Sequence, residues 1–332
     1  MPLAKSVSVP ALLALAALSL TACAAESESE SDAENTANPA AEQQQAEVPT
    51  EVTVTTAQGE VAVPFQPERV VVIEHGILDT IDALGAGESV AAIPHHAVPS
   101  YLSDYETSTE NAGTLFEPDY EAINAVEPDL IIVGGRSAAT LPEMEAIAPT
   151  IDLSFDWGSE AFTSTFESNT LALGQIFGSE DEAERAVAEV NATAEAVAAD
   201  AAGAGEGLVL MTSAGEVSAY GPSAEGRFDF VYNLLGITPA VDQVAIDEHG
   251  DAISFEFIAE LDPDLLIVLD RDAAIGEPGD SAQAVLDNDL VNGTTAVEND
   301  KVAYVDTEKW YLAFGGLTSV TSILDEVGAL VG

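Results

Sequence analysis

The chain has 332 residues, is 47% hydrophobic and carries a formal net charge of −51. That length and apolar content allow one large or two ordinary domains with a sizeable core, while the charge excludes nucleic acid as a partner, since phosphate binding needs clustered Lys and Arg. Acidity on this scale describes a strongly hydrated surface, on which salt would blunt the self-repulsion.

The first 22 residues hold one cation, Lys5, then an apolar run too short to span a bilayer comfortably, then small residues, which is the pattern of a secretory signal. "LTAC", Leu20 to Cys23, resembles the bacterial lipobox, whose cysteine is lipidated and becomes the first residue after cleavage. Cys23 is the single cysteine, so no internal disulfide is available, and it is the expected lipid anchor to the outer face of the cell membrane. The alternative is a plain secretory signal with an incidental cysteine. Residues 23–49 are rich in Ser, Glu, Ala and Gln without an aromatic, and read as a disordered acidic tether.

From "EVTVTTAQGEVAVP" onward the pattern is regular. Alternation on either side of a Gln-Gly turn predicts a hairpin. "RVVVIEHG" is a buried strand by length and β-branching, "ILDTIDALG" a helix stopping at Gly85, and "SVAAIP" a strand. "DYEAINAVE", "DLIIVGG", "LPEMEAIA" and "TIDLS" continue the alternation of helix and strand. Ser179 to Ala202 lacks Gly and Pro, repeats Ala and Val at helical spacing, and opens on Ser and a run of acids, which predicts one long helix of roughly 33 Å. After "GAGEG" the rhythm resumes through "LVLMTS", "EVSAYG", "RFDFVYNLLG", "SFEFIAEL", "DLLIVLD", "KVAYVD" and a final helix, "LTSVTSILDEVGALVG". The expected fold is α/β: two Rossmann-like lobes with mostly parallel sheets, residues 50–178 and 203–332, joined by the helix at 179–202, with a cleft between them.

The two lobes share a phrase. "YEAINAVEPDLIIVGGR", ending at Arg136, returns as "FEFIAELDPDLLIVLDR", ending at Arg271. In an open α/β sheet, ligands bind beyond the carboxyl ends of the strands, so each copy puts one of the scarce cations at such an end. Arg227, in "YGPSAEGRFDF", follows the strand "EVSAYG" and is expected on the same rim. Three cations gathered in an anionic protein point to an anionic ligand. The alternative is local pairing, since Asp270 and Asp272 flank Arg271. Arg69, at a strand's amino end, and Arg185, mid-helix, carry no such implication. His249 and Tyr311 fall in rim loops of the second lobe, where an imidazole and a phenolate can complete the coordination of ferric iron. Taken singly, each reads as a surface turn or a packing residue.

"PERVVVIEHGILDTIDALG", "GTLFEPDYEAINAVEPDLIIVGGR", "AYGP…RF", "HGDAISFEFIAELDPDLLIVLDR" and "WYLAFGGLTSV" form an ordered set over about residues 50–330. The set resembles the substrate-binding lipoproteins of ABC importers for catecholate-type ferric siderophores, in the iron/B12 class with a helical backbone between lobes. The resemblance implies capture rather than catalysis: a ferric siderophore, hexadentate or tetradentate, held between lobes by a monomer and passed to an ABC importer permease. It implies no intrinsic cofactor. Arg136, Arg227 and Arg271 match the family's three cleft arginines, and His249 and Tyr311 match the residues that fill two open iron sites of a tetradentate complex. Two departures stand out. "PSAEGRF" is longer than the usual turn before Arg-Phe, and His75 stands near the cleft mouth where an aromatic or aliphatic residue is usual. Tyr101 either packs over the ligand from the first lobe or packs in the core.

Haem, cobalamin or a bare metal ion are the alternative ligands on the same fold. A bare metal wants several converging His and carboxylates, whereas the pair His95–His96 is expected in a solvent loop. A two-lobe α/β enzyme is the alternative from another class, but G-x-S-x-G, a P-loop Lys and a reactive Cys pair are all missing from the chain.

Overall fold

The computed structural model describes residues 49–155, 159–223, 226–241 and 251–332. The expected signal segment, Cys23, the expected tether as far as residue 48, and His249 lie outside these residues. Strands β1 (Glu51–Thr56) and β2 (Gly59–Pro64) form the expected antiparallel hairpin, pinned on the core by Val54 and Val63.

The first lobe is a five-stranded parallel sheet of β3 (Val70–Val72), β4 (Val90–Ile93), β5 (Glu110–Asn111), β6 (Leu130–Val133) and β7 (Thr150–Asp152), in the order β5-β4-β3-β6-β7. Helices α1 (His75–Ala83), α2 (Tyr105–Ser108), α3 (Tyr120–Ala125) and α4 (Leu141–Met144) lie between its strands along the chain. β3 and β6 are buried throughout, which explains their unbroken Val and Ile.

Two helices follow, α5 (Ser159–Phe177) and α6 (Glu180–Ala201). α6 is the long helix expected from sequence, and Ala183, Val187, Val190, Val197 and Ala201 form its buried stripe against α5 and the final helix. α5 is an addition. Its buried Phe162, Phe166, Leu173 and Ile176 keep helical spacing, but Ser, Thr, Asn and Gly between them mask the pattern. Gly174 lets α6 approach: a Cβ there would sit 2.5 Å from that of Ala183.

The second lobe contains β8 (Glu206–Ser213), β9 (Glu216–Tyr220), α7 (Asp229–Asn233), β10 (Thr238–Pro239), β11 (Asp251–Ile253), α8 (Phe255–Leu261) and β12 (Leu265–Asp270). It continues through α9 (Arg271–Ile275), α10 (Ala282–Leu286), α11 (Asp289–Asn292), α12 (Thr295–Glu298), β13 (Val302–Tyr304) and α13 (Leu317–Val331). Its strands run in the order β11-β9-β8-β12-β13, with β10 also on β8. β8, β12, β13 and β10 are mutually parallel, whereas β9 and β11 form an antiparallel margin, so this sheet is mixed.

The repeated phrase is repeated structure. Asp119 caps α3 and Ser254 caps α8. Glu127 and Asp262, each before the proline, both take a left-handed conformation, with φ of 48° and 46°. The aspartates of the two "PD" pairs tie the amino end of a neighbouring strand: Asp129 accepts from the Glu68 and Arg69 amides, and Asp264 accepts from the Glu206 amide. All of this is scaffold. Only the closing arginines are left for another purpose.

Candidate functional site

Strand order explains where those arginines go. In the first sheet the chain runs from β3 outward through β4 and β5, then returns to β6 on the other side. In the second, β9 lies on one side of β8 and β12 on the other. Such reversals open a crevice at the strands' carboxyl ends. Glu74 and Arg136 follow β3 and β6; Ser213 and Arg271 end β8 and follow β12. The strand-end argument does not extend to Arg227. β9 is antiparallel to β8, so its terminal Tyr220 pairs with Val209, not with the end of β8 near Arg271. The loop beyond brings Arg227 back.

The three guanidiniums meet at Tyr311, which sits in a π-helical turn, Glu308–Leu312. Arg227 lies over its ring with Cζ 4.6 Å from the centroid; Arg136 and Arg271 are 5.9 and 5.8 Å away. All three are within reach of the ring's negative face. Arg136 Nη1 donates to Glu74 Oε1 at 2.9 Å and its Nη2 donates to the Tyr311 carbonyl at 2.8 Å. Arg271 Nε donates to the Tyr311 hydroxyl at 3.1 Å and its Nη1 to the Ser213 hydroxyl at 3.3 Å.

Local pairing accounts for little of Arg271. Asp270 accepts from the Ala273 and Ala282 amides, and Asp272 accepts from Ser213 Oγ and the Ala214 amide, leaving its nearest oxygen 4.0 Å from Arg271. Arg136, by contrast, has a close partner in Glu74. Arg69, Arg185 and Lys301 are occupied elsewhere, on the Glu127 carbonyl, Glu182 and the Leu330 carbonyl.

These groups line a cavity of about 880 Å³, within the usual range for small-molecule sites. Its charged lining among the described residues is Arg136, Arg227, Arg271 and one acid, Glu74. Ile77, Leu115, Leu153, Phe155, Ile275 and Phe314 contribute apolar wall. Burial pushes the Glu74 carboxyl above its ordinary value, opposed by the charges of Arg136 and Arg227. Burial also lowers the Arg227 guanidinium, helped by repulsion from Arg136. Burial that disfavours the Arg227 charge makes an anion that neutralises it in the cavity favourable.

Two expected residues are not part of the cavity's lining. Tyr101 donates its hydroxyl to Asp79 Oδ2 at 2.5 Å, beside Ser319 Oγ, and its ring carries Lys309 at 5.5 Å. His75 is 1% exposed in the first turn of α1, with Nε2 3.3 Å from the His96 carbonyl, and burial holds its pKa down at about 4. His75 is thus held inside the first lobe, whereas Tyr101 stays partly exposed with its hydroxyl engaged by Asp79. Conversely, His96 lines the cavity, while its neighbour His95 turns to Thr109 Oγ1. Sequence reading also missed Glu74 as a site residue. The signal was present: an acid directly ending the buried run "RVVVI" stands where only a functional or paired carboxylate is tolerated.

Similarity to known proteins agrees with this geometry. The profile of the family described as "Periplasmic binding protein" matches residues 70–308. The petrobactin-binding protein YclQ of Bacillus subtilis is 37% identical over 273 residues, 80% of this chain and 83% of that protein. Its crystal structure superposes with a TM-score of 0.78, covering 85% of this chain and 98% of that one. The ferric-anguibactin-binding protein FatB of Vibrio anguillarum is 30% identical, covering 87% and 91%. The periplasmic catecholate-siderophore binding protein VctP of Vibrio cholerae is 32% identical with a TM-score of 0.77, covering 84% and 99%. The chain belongs to the periplasmic binding protein family, a family of binding proteins and not of enzymes.

Proposed function

We propose that the protein captures a ferric siderophore of the catecholate type between its lobes and delivers it to the permease of an ABC importer. One observation carries the reading: three guanidiniums converge on a single tyrosine in a cavity with one acid, within a chain of net charge −51. A ferric tris-catecholate is an oxygen-faced trianion with aryl edges. Guanidinium forks supply direction as well as charge to its oxygens, and the apolar wall receives its rings. The relatives named for petrobactin, ferric anguibactin and catecholate siderophores support the same ligand class.

With a tetradentate ligand, Tyr311 and His249 would fill the two open positions on iron, the phenol giving up its proton to solvent as its oxygen binds the metal. Arg271, already bonded to the Tyr311 hydroxyl, stabilises the resulting phenolate. The protein works as a monomer outside the cytoplasm, held to the membrane by lipid on Cys23 and by the tether 23–49. Its body divides as 50–178, 179–202 and 203–332.

Trp310, buried and next in sequence to Tyr311, supplies the assay. Its fluorescence should be quenched saturably by a ferric tris-catecholate and not by the iron-free ligand. Absence of saturation with every ferric tris- or bis-catecholate would end the proposal.

A further inference from the structure

Phe116 is 70% exposed, more than the other exposed large apolar residues among those described, and yet it lines the cavity. A lone exposed apolar side chain needs no explanation. The backbone beneath this one does. Thr114 N donates to the Glu117 carbonyl at 3.0 Å, and Thr114 Oγ1 accepts from the Phe116 and Glu117 amides at 3.3 and 2.9 Å. Gly113 pairs with Pro118 across the base, and the Asp119 amide closes onto the Ala112 carbonyl at 2.8 Å. Gly113 has φ of 96°, and a Cβ there would lie 2.6 Å from the Asp119 nitrogen, so the base admits only glycine.

The tip is also fastened to the neighbouring wall. Asn111 Oδ1 accepts from the Gly113 amide at 3.0 Å and from the His95 amide at 3.2 Å. His96 and Ala97, which follow, line the same cavity as Thr114, Leu115 and Phe116. The first lobe therefore presents a stiff double loop with a bare aromatic ring at its end. Holding an apolar group rigidly in water gains nothing in the empty protein. It lowers the ordering cost when something covers it.

We propose that Phe116 is a ligand-contacting, specificity-determining residue, which packs on an aryl ring of the bound chelate and so selects aryl-bearing iron chelates over anionic ones without rings. The inference rests on the function proposed above. The charged groups at Tyr311 recognise anionic oxygen, which citrate-type chelates also carry; a rigid apolar tip distinguishes the two classes.

The test uses the full chain and a ferric tris-catecholate of charge −3, with ferric citrate as the ring-free comparison. Phe116→Ala should weaken the tris-catecholate about tenfold, as loss of most of one buried ring implies, and should leave ferric citrate unchanged. Phe116→Tyr should bind within about twofold of the parent. Thermal unfolding of the ligand-free variants should match the parent, because the side chain is exposed. Unchanged tris-catecholate affinity in Phe116→Ala overturns the inference, and if iron uptake in cells then falls, the ring belongs to the permease interface. Failure of the unmodified protein to bind any ferric catecholate overturns the functional reading itself, a result separable from that of the variant.

Discussion

Asp79 offers a measurable test of how the lobes are joined. It lies in α1, is fully buried, and reaches the amino end of α13 in the other half of the chain. Its oxygens accept from the Thr318 amide at 2.6 Å, the Ser319 amide at 3.1 Å, Ser319 Oγ at 2.9 Å and Tyr101 Oη at 2.5 Å. Thr80 Oγ1 accepts from the Leu317 amide at 3.1 Å. The first three amides of α13 are thus capped from α1. The residue at the ordinary cap position, Gly316, has no side chain to do it, and a Cβ there would lie 2.6 Å from Asp79. In Asp79→Ala the Thr318 amide rehydrates, since that residue is exposed, but the Ser319 amide is left buried without an acceptor. One orphaned buried donor at ~1–3 kcal/mol and a lost cap at ~1 kcal/mol give a destabilisation of about 3 kcal/mol. For a body of this size that lowers the melting temperature by about 5 °C. Urea unfolding at neutral pH measures it directly. A loss below about 1 kcal/mol would mean the cap has substitutes and the reasoning is wrong. Burial raises the Asp79 pKa above its ordinary value. Its contribution is therefore greatest below the unfolded-state pKa and declines as pH rises through the folded value. Asp79→Asn, which cannot ionise, should lack that decline.

Other outcomes follow from the same contacts. Arg271→Ala should weaken a hexadentate ferric catecholate by more than about 1.5 kcal/mol, the loss of a charge-assisted bond; equal affinity in a fluorescence titration would limit Arg271 to its contacts within the protein, with Tyr311, Ser213 and Asp272. Tyr311→Phe should abolish the visible charge-transfer band of a tetradentate ferric complex while leaving hexadentate binding largely intact, and an unaltered spectrum would remove the phenolate from iron. His75, neutral and held down at about 4 against an ordinary 6.5, stabilises the fold above 6.5. That contribution is lost as pH falls through 4, by up to about 3 kcal/mol. His75→Leu should lack this loss when the two unfolding curves are subtracted between pH 7 and 4, and parallel curves would show the ring is not the titrating group.

Much of the scaffold was legible locally. β3, β6, β8 and β12 announce themselves as unbroken apolar runs because both their faces are buried, and α6 because its stripe is not interrupted by Gly or Pro. α5 escaped because its buried Phe and Leu positions are separated by residues of low helical propensity, so packing rather than intrinsic preference makes the helix. The antiparallel course of β9 was hidden for another reason: a short buried run reads the same in either direction.

Taken alone, the amino-acid order determined the alternation of strands and helices, the duplicated phrase, and the rarity of cations that made Arg136, Arg227 and Arg271 worth following. Which of those groups meet was decided only in three dimensions. Arg136 reaches Tyr311 across 175 positions of chain, and Asp79 reaches Ser319 across 240. Periodicity reports which side of an element faces the core, because neighbours in sequence share that element's geometry. It carries no information about which distant loop end will stand opposite, and so it could neither reveal Glu74 beside Arg136 nor show that Tyr101 was already engaged by Asp79.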